Sequence, residues 1–121
     1  MNTDDHDNTQ YIPIPETYTR RNLNALYREI PLKDTVSRTM RKYFNAMAHL
    51  YGIITLEKAY EIISEQSPSL VSKDEFLAFA EIARHECEGY YILAQEDIYM
   101  KASPGTPFER EIIDVELFKE I

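Results

Sequence analysis

Residues 50–57 have the sequence LYGIITLE, which contains the end of one helix, a short strand and the start of the next helix. Gly52 predicts the helix end, because glycine readily adopts the left-handed conformation that closes a helix. The apolar pair Ile53-Ile54 is too short for anything but a strand. Thr55 favours a new helix as its N-cap, with Glu57 in the first turn, where the helix dipole stabilises an anion. This stretch therefore predicts a helix–strand–helix unit.

Further helices are predicted on both sides of this unit, because apolar residues repeat there at the helical period. A short helix is expected between Thr19 and Pro31, and longer helices over residues 35–51, 56–66 and 73–88. Ser72 and Glu75 have the spacing of a capping box, in which each side chain bonds the backbone amide of the other residue. The start of the helix over 73–88 is therefore strongly specified.

The period of the apolar residues changes from 3.6 toward two after Gly89. Residues 90–94 and 98–100 are rich in aromatic and β-branched side chains, which favours two strands of a hairpin over residues 90–102. The breaker Ser103-Pro104-Gly105 follows, and Thr106 and Glu109 then repeat the capping-box spacing. We expect a C-terminal amphipathic helix over 107–120. Its apolar stripe, which could pair with a second copy in a homodimer, comprises Phe108, Ile112, Val115 and Phe118.

The length of 121 residues allows one compact domain and a tail. Hydrophobic residues make up 44% of the chain, which excludes wholesale disorder. We expect a flexible acidic tail over 1–17, a folded domain over 18–102, and a linker with the C-terminal helix over 103–121. One cysteine excludes an internal disulfide framework, and the polar first residues exclude a cleavable signal peptide. These features predict a cytoplasmic protein.

The order of the predicted elements resembles the winged-helix (winged helix-turn-helix) family, in which three helices pack around a small core that a two-stranded wing closes. The resemblance covers residues 35–102 and concerns the fold alone. It implies an α+β, mostly α-helical fold with a winged-helix-like three-helix core, a β-hairpin and a C-terminal helix. The chain also resembles short bacterial proteins found around phages and mobile elements, in residues 50–54 and 81–86. That second resemblance implies no activity.

Most winged helices bind DNA with their third helix, but the charges in this sequence argue against that mode. Residues 73–88 carry two basic and five acidic side chains, a net charge of -3, and the predicted wing tip is Glu96-Asp97. Duplex affinity comes largely from Lys and Arg that replace phosphate counterions. We therefore expect first a non-catalytic regulatory module that presents an acidic surface to a basic protein partner. One version is an inhibitor that mimics nucleic acid.

The surface expected for this partner combines acidic and apolar side chains near the hairpin. Alternate residues of a two-stranded wing face away from the helices, so either Tyr91 and Leu93 or their neighbours are expected to be exposed. An exposed aromatic and aliphatic pair is typical of protein interfaces. The expected protein-binding residues are Tyr91, Leu93, Glu86, Glu88, Glu96 and Asp97.

The alternative function is a DNA-binding transcriptional regulator that uses the segment 20–42. This segment has seven basic and two acidic side chains, a net charge of +5, whereas residues 51–121 have six basic and fifteen acidic ones. Such a separation of charge is expected of solvated faces that neutralise each other within the fold, of two copies whose opposite ends attract, or of a basic surface that contacts nucleic acid. The residues expected to contact phosphates are Arg20, Arg21, Arg38, Arg41 and Lys42.

No pattern in the sequence indicates an enzyme, a cofactor or a metal site. The three glycines form no phosphate-binding loop, and no serine lies in a glycine-flanked turn. His85 and Cys87 are two residues apart on a predicted helix, so their side chains point in different directions. Cys87 is therefore expected to be a small apolar core residue.

Overall fold

The computed structural model describes residues 13–99 and 103–120, and these form an α+β, mostly α-helical fold. The helices are α1 (Arg20–Glu29), α2 (Asp34–Tyr51), α3 (Leu56–Gln66), α4 (Lys73–Ala83), α5 (Gln95–Tyr99) and α6 (Val115–Phe118). The strands are β1 (Ile53–Thr55), β2 (Tyr90–Leu93) and β3 (Glu111–Asp114). A single 3-10 turn, Pro107–Glu109, precedes β3.

The predicted helix–strand–helix unit is confirmed, and its local signals act as expected. Gly52 closes α2 with a φ of 78°, a conformation that glycine adopts without a steric cost. The Thr55 hydroxyl accepts a hydrogen bond from the backbone N–H of Lys58 at the start of α3. Both hydrogen bonds of the capping box between Ser72 and Glu75 are present at the start of α4. The short helix α1 is likewise capped by Thr19.

The predicted hairpin over 90–102 is wrong. Residues 95–99 form α5, and the strand that pairs with β2 is β3, which lies well beyond the predicted return strand. The sheet has the order β1-β3-β2 and is antiparallel throughout. Within it, Ile112 pairs with Ile54 on one side and with Ile92 on the other. The central strand buries Ile112 and Ile113 completely, which favours it over a hairpin return at residues 98–100.

The continuous C-terminal helix predicted over 107–120 is also wrong, although a short helix, α6, ends this region. Glu109 accepts a hydrogen bond from the N–H of Thr106, as its spacing predicts, but this contact caps only a 3-10 turn. The chain then enters the sheet as β3, so residues 111–114 belong to the core instead of flanking it. Helical spacing alone could not distinguish the two, because a strand buried on both faces also presents consecutive apolar residues.

Helix α4 ends at Ala83, five residues before the predicted end at residue 88. The chain leaves the helix in turns in which the N–H groups of His85 and Glu86 donate to the carbonyls of Ile82 and Ala83. This exit turns the Glu86 side chain inward and leads the chain to β2, where Tyr90 is buried. Glu86 and Glu88 therefore do not lie on a helix face.

The core lies between the helices and one face of the sheet. Its largest buried side chains are aromatic, and the Phe44 ring packs edge-on against both Phe76 and Phe79.

No helix in the described part of the chain is long and apolar enough to cross a membrane. Most of the predicted acidic tail, residues 1–12, lies outside the described residues. Its last part is held by His85, which bonds the Glu16 carbonyl through Nδ1 and stacks on Tyr18.

Candidate anion-binding groove

Helices α1 and α2 form the walls of an open groove with a cavity volume of about 890 Å³. Pro31 stops α1, and α2 begins three residues later, so the two helices turn their basic side chains toward the same space. The groove is lined by five basic residues and two acidic ones. The basic residues are Arg20, Arg28, Lys33, Arg38 and Arg41, and the acidic ones are Asp34 and Glu88.

Arg41, which lines the groove, forms an ion pair with Glu86. The Arg41 Nε–H donates to both carboxylate oxygens of Glu86, at 3.1 and 3.3 Å. The Glu86 side chain is fully buried, whereas that of Arg41 is 25% exposed. Burial lowers the pKa of Arg41, but the hydrogen bond and charge of Glu86 outweigh this effect and raise it overall. The Arg41 guanidinium, which lines the groove, therefore stays charged.

Three of the other four cations that line the groove are termed its rim cations, because their side chains are exposed to solvent. Arg28, Lys33 and Arg38 are exposed, and none of them forms an ion pair with a residue in 13–99 or 103–120. Lys33 is the N-cap residue of α2, and Arg28 lies in the last turn of α1. Exposed cations that no described residue neutralises are available to an anionic ligand.

Two tyrosine hydroxyls are buried next to this ion pair. They belong to Tyr27, which lines the groove, and to Tyr90 on β2. Burial raises the pKa of both, and the negative charge of Glu86 raises it further. Both phenols are therefore neutral in the folded protein over the whole neutral range.

The raised pKa of Tyr90 predicts a loss of stability in alkali. Above pH 10, the unfolded chain releases the Tyr90 proton whereas the folded chain keeps it, so the free energy of unfolding falls as the pH rises. We expect Tyr90→Phe to remove about 1 kcal/mol of the loss between pH 7 and pH 11. Urea unfolding at both pH values measures this difference. Tyr51→Phe, at a side chain that is 52% exposed, is the control; an equal loss in all three proteins would contradict the assignment.

The structure does not place the expected protein-binding residues on one open surface. Leu93 is only 1% exposed and Ile92 is fully buried, so neither of the two expected orientations of β2 exposes one of its faces. Glu86 is buried and paired with Arg41, so its expected place on an open surface is wrong. Tyr91 packs its ring against Phe118, at 5.0 Å between centroids. The Glu88 carboxylate accepts a hydrogen bond from the side-chain amide of Asn45. The Glu96 carboxylate accepts one from the N–H of Gly105, and Asp97 is half-buried. Tyr91, Glu88 and Glu96 therefore contact other parts of the fold.

The expected nucleic-acid-binding residues are brought together more closely. Arg20, Arg38 and Arg41 line the groove, whereas Arg21 and Lys42 are exposed outside its lining. Arg28 and Lys33 are the groove cations that this set lacks. Both belong to the basic segment 20–42, so the net charge of the segment was the signal that could have found them.

The stripe expected for self-association does not exist as one face. Phe108 packs against Tyr60 and Phe76, and Ile112 is fully buried in the central strand. Val115 and Phe118 lie on α6 and are half-buried. The exposed large apolar side chains are not those of the expected stripe; they include Leu50, Tyr51, Ile53 and Leu117.

Within the described ranges, no group of three or more His, Cys, Asp or Glu side chains could hold a metal ion. Cys87 is exposed, so its expected place in the core is wrong. The early end of α4 explains this error, because Cys87 lies in the turn after the helix instead of on its buried face.

A comparison with protein-family models, curated proteins and solved structures found no match to this chain.

Proposed function

We propose that this chain is a non-catalytic, winged-helix-like domain that binds duplex DNA through the groove between α1 and α2. The observation that carries the proposal is the convergence of five basic side chains on one groove of a protein whose formal net charge is -8. An acidic protein that gathers cations on one surface can bind a polyanion there while the rest of its surface repels it. The order of α2, β1, α3, α4 and β2 is the same as in the predicted winged helix, whereas α5 takes the place of the predicted hairpin turn.

In this proposal the groove replaces the third-helix surface as the site of phosphate contact. Helix α4 carries Asp74, Glu75 and Glu81, of which Asp74 and Glu81 are exposed, so it would repel the backbone of a duplex. The rim cations of the groove, by contrast, are exposed and not neutralised by other described residues. Phosphate contacts of this kind position a protein on DNA but do not read its sequence. The proposal therefore concerns binding to duplex DNA in general.

A matched pair of variants tests which surface contacts the duplex. Arg38→Ala removes a rim cation of the groove, and Lys73→Ala removes the exposed cation at the start of α4. We expect Arg38→Ala to weaken binding about tenfold at 50 mM salt and to reduce the slope of log K against log salt by about 0.9. Fluorescence anisotropy with a random-sequence duplex measures both quantities. A larger effect of Lys73→Ala would favour docking through α4 and contradict the proposal.

The second candidate is a protein-interaction module for a basic partner. It is favoured by the exposed side chains of Leu50 and Tyr51 next to α3, which carries exposed Glu57, Glu61 and Glu65. This candidate requires no contact with nucleic acid. It predicts that the protein does not bind a duplex at 50 mM salt, where the first candidate predicts tight binding.

A further inference from the structure

The Arg41 guanidinium is only partly used by the protein. Its Nε–H donates to Glu86, but neither of its terminal nitrogens, Nη1 and Nη2, donates a hydrogen bond to any acceptor in the described part of the chain. The side chain lines the groove. These two terminal nitrogens are the pair that an arginine offers to a phosphate oxyanion in a bidentate contact.

The position of Arg41 is determined by several contacts at once. The Glu86 carboxylate accepts the hydrogen bond of Nε. The guanidinium carbon lies 4.8 Å from the centre of the Tyr27 ring and 5.8 Å from that of the Phe79 ring. Contacts of a guanidinium with aromatic faces are attractive and restrict its rotation. An arginine whose orientation is fixed in this way loses less entropy on binding than a free surface arginine.

A second arginine converges on the same carboxylate. Arg20 Nη1 lies 3.6 Å from Glu86 Oε2, and its side chain is 60% exposed and also lines the groove. The Tyr27 side chain also lines the groove, next to Glu86 and Arg41. Glu86 thus pairs with two arginines that both line the groove, Arg41 and Arg20.

We propose that Arg41 and Arg20 form a discrete subsite for a phosphate oxyanion, and that Glu86 is its positioning residue. The subsite deepens the proposed function, on which it rests for the identity of its ligand. The shared chemistry is a phosphate group, either from the backbone of a nucleic acid or from free phosphate. The Arg41 fork donates two hydrogen bonds to the phosphate oxygens, and Arg20 adds a third contact.

The subsite predicts an effect opposite to that of charge alone. If Glu86 acted only through its charge, Glu86→Gln would strengthen anion binding, because it removes a negative charge below the groove. If Glu86 positions Arg41, the same change weakens binding, because the amide offers one acceptor in place of two to Nε. Glu88 is the control, since it lines the groove and its carboxylate bonds only Asn45 within residues 13–99 and 103–120.

The experiment measures the affinity of each protein for two ligands. Binding of inorganic phosphate is monitored through the NMR signals of the arginine Nε–H groups, and binding of a random-sequence duplex is monitored by fluorescence anisotropy. Phosphate is compared with chloride at equal ionic strength. We expect Glu86→Gln to weaken both ligands about fivefold and Glu88→Gln to strengthen both about twofold. Arg41→Lys keeps the charge without the fork and is expected to weaken both about tenfold. Thermal unfolding establishes that each variant is folded.

The outcomes separate the subsite from the proposed function. Phosphate binding that shifts the Arg41 signal and depends on Glu86, in a protein that does not bind the duplex, supports the subsite with free phosphate as its ligand and contradicts the proposed function. Duplex binding that Glu86→Gln leaves unchanged or strengthens overturns the subsite and leaves the proposed function intact. Arg41→Lys with wild-type affinity for both ligands overturns the subsite as well.

Discussion

Ile112→Ala is expected to lower the free energy of unfolding by about 3 kcal/mol, which is a large part of the stability of a domain of this size. Ile112 is fully buried in the central strand and faces Ile54 and Ile92 on the two neighbouring strands. Truncation therefore opens a cavity at the centre of the sheet, which the surrounding side chains cannot fill without moving the strands. Urea unfolding followed by circular dichroism measures the loss.

The control for this prediction lies five residues away in the same segment. Leu117 on α6 is 40% exposed, so Leu117→Ala is expected to cost less than about 1 kcal/mol. A continuous amphipathic helix outside the core would make the two truncations similar. Equal, small losses in both variants would therefore contradict the place of β3 in the sheet.

The first two-thirds of the fold could be predicted from the sequence because its signals are local. Gly52, Thr55 and the Ser72–Glu75 capping box each act through backbone groups within a few residues, and each acts as predicted. The end of the chain depends instead on long-range pairing. Residues 111–114 form a strand because β1 and β2 lie on both sides of them, and neither neighbour is visible from the spacing of Phe108, Ile112 and Val115.

Of the candidate site, only its positive charge could be predicted from the sequence. The basic segment 20–42 supplies every cation of the groove, and its net charge indicates a polyanion. The sequence could not show that Glu86, 45 residues beyond Arg41, is buried beneath it. On a continuous helix Glu86 would be one more exposed acid, and only the early end of α4 turns it into a partner of the groove.

Neutralising the three rim cations together should abolish most of the affinity for DNA. We expect the variant Arg28→Ala/Lys33→Ala/Arg38→Ala to bind a random-sequence duplex about a thousandfold more weakly at 50 mM salt. The reason is that binding then forms three fewer phosphate contacts and therefore releases fewer counterions from the DNA. The slope of log K against log salt should fall by about 2.7. These side chains are exposed and form no ion pair with other described residues, so the fold should be retained.

The matched control has the same net charge. Lys58→Ala/Lys73→Ala/Lys119→Ala removes three cations outside the groove, two of which are in exposed ion pairs of little energetic value. We expect this variant to bind within about threefold of the wild-type protein. Similar losses in the two triple variants would mean that only the total charge matters, and the groove would have no special role.

The most direct test of the central claim is a titration of the wild-type protein with a random-sequence duplex at 50 and 200 mM salt. Five phosphate contacts in the groove predict tight binding at 50 mM and a loss of about 500-fold at 200 mM. The slope then reports the number of cations that contact phosphates. No binding at 50 mM salt would contradict the claim that the groove between α1 and α2 is a DNA-binding surface.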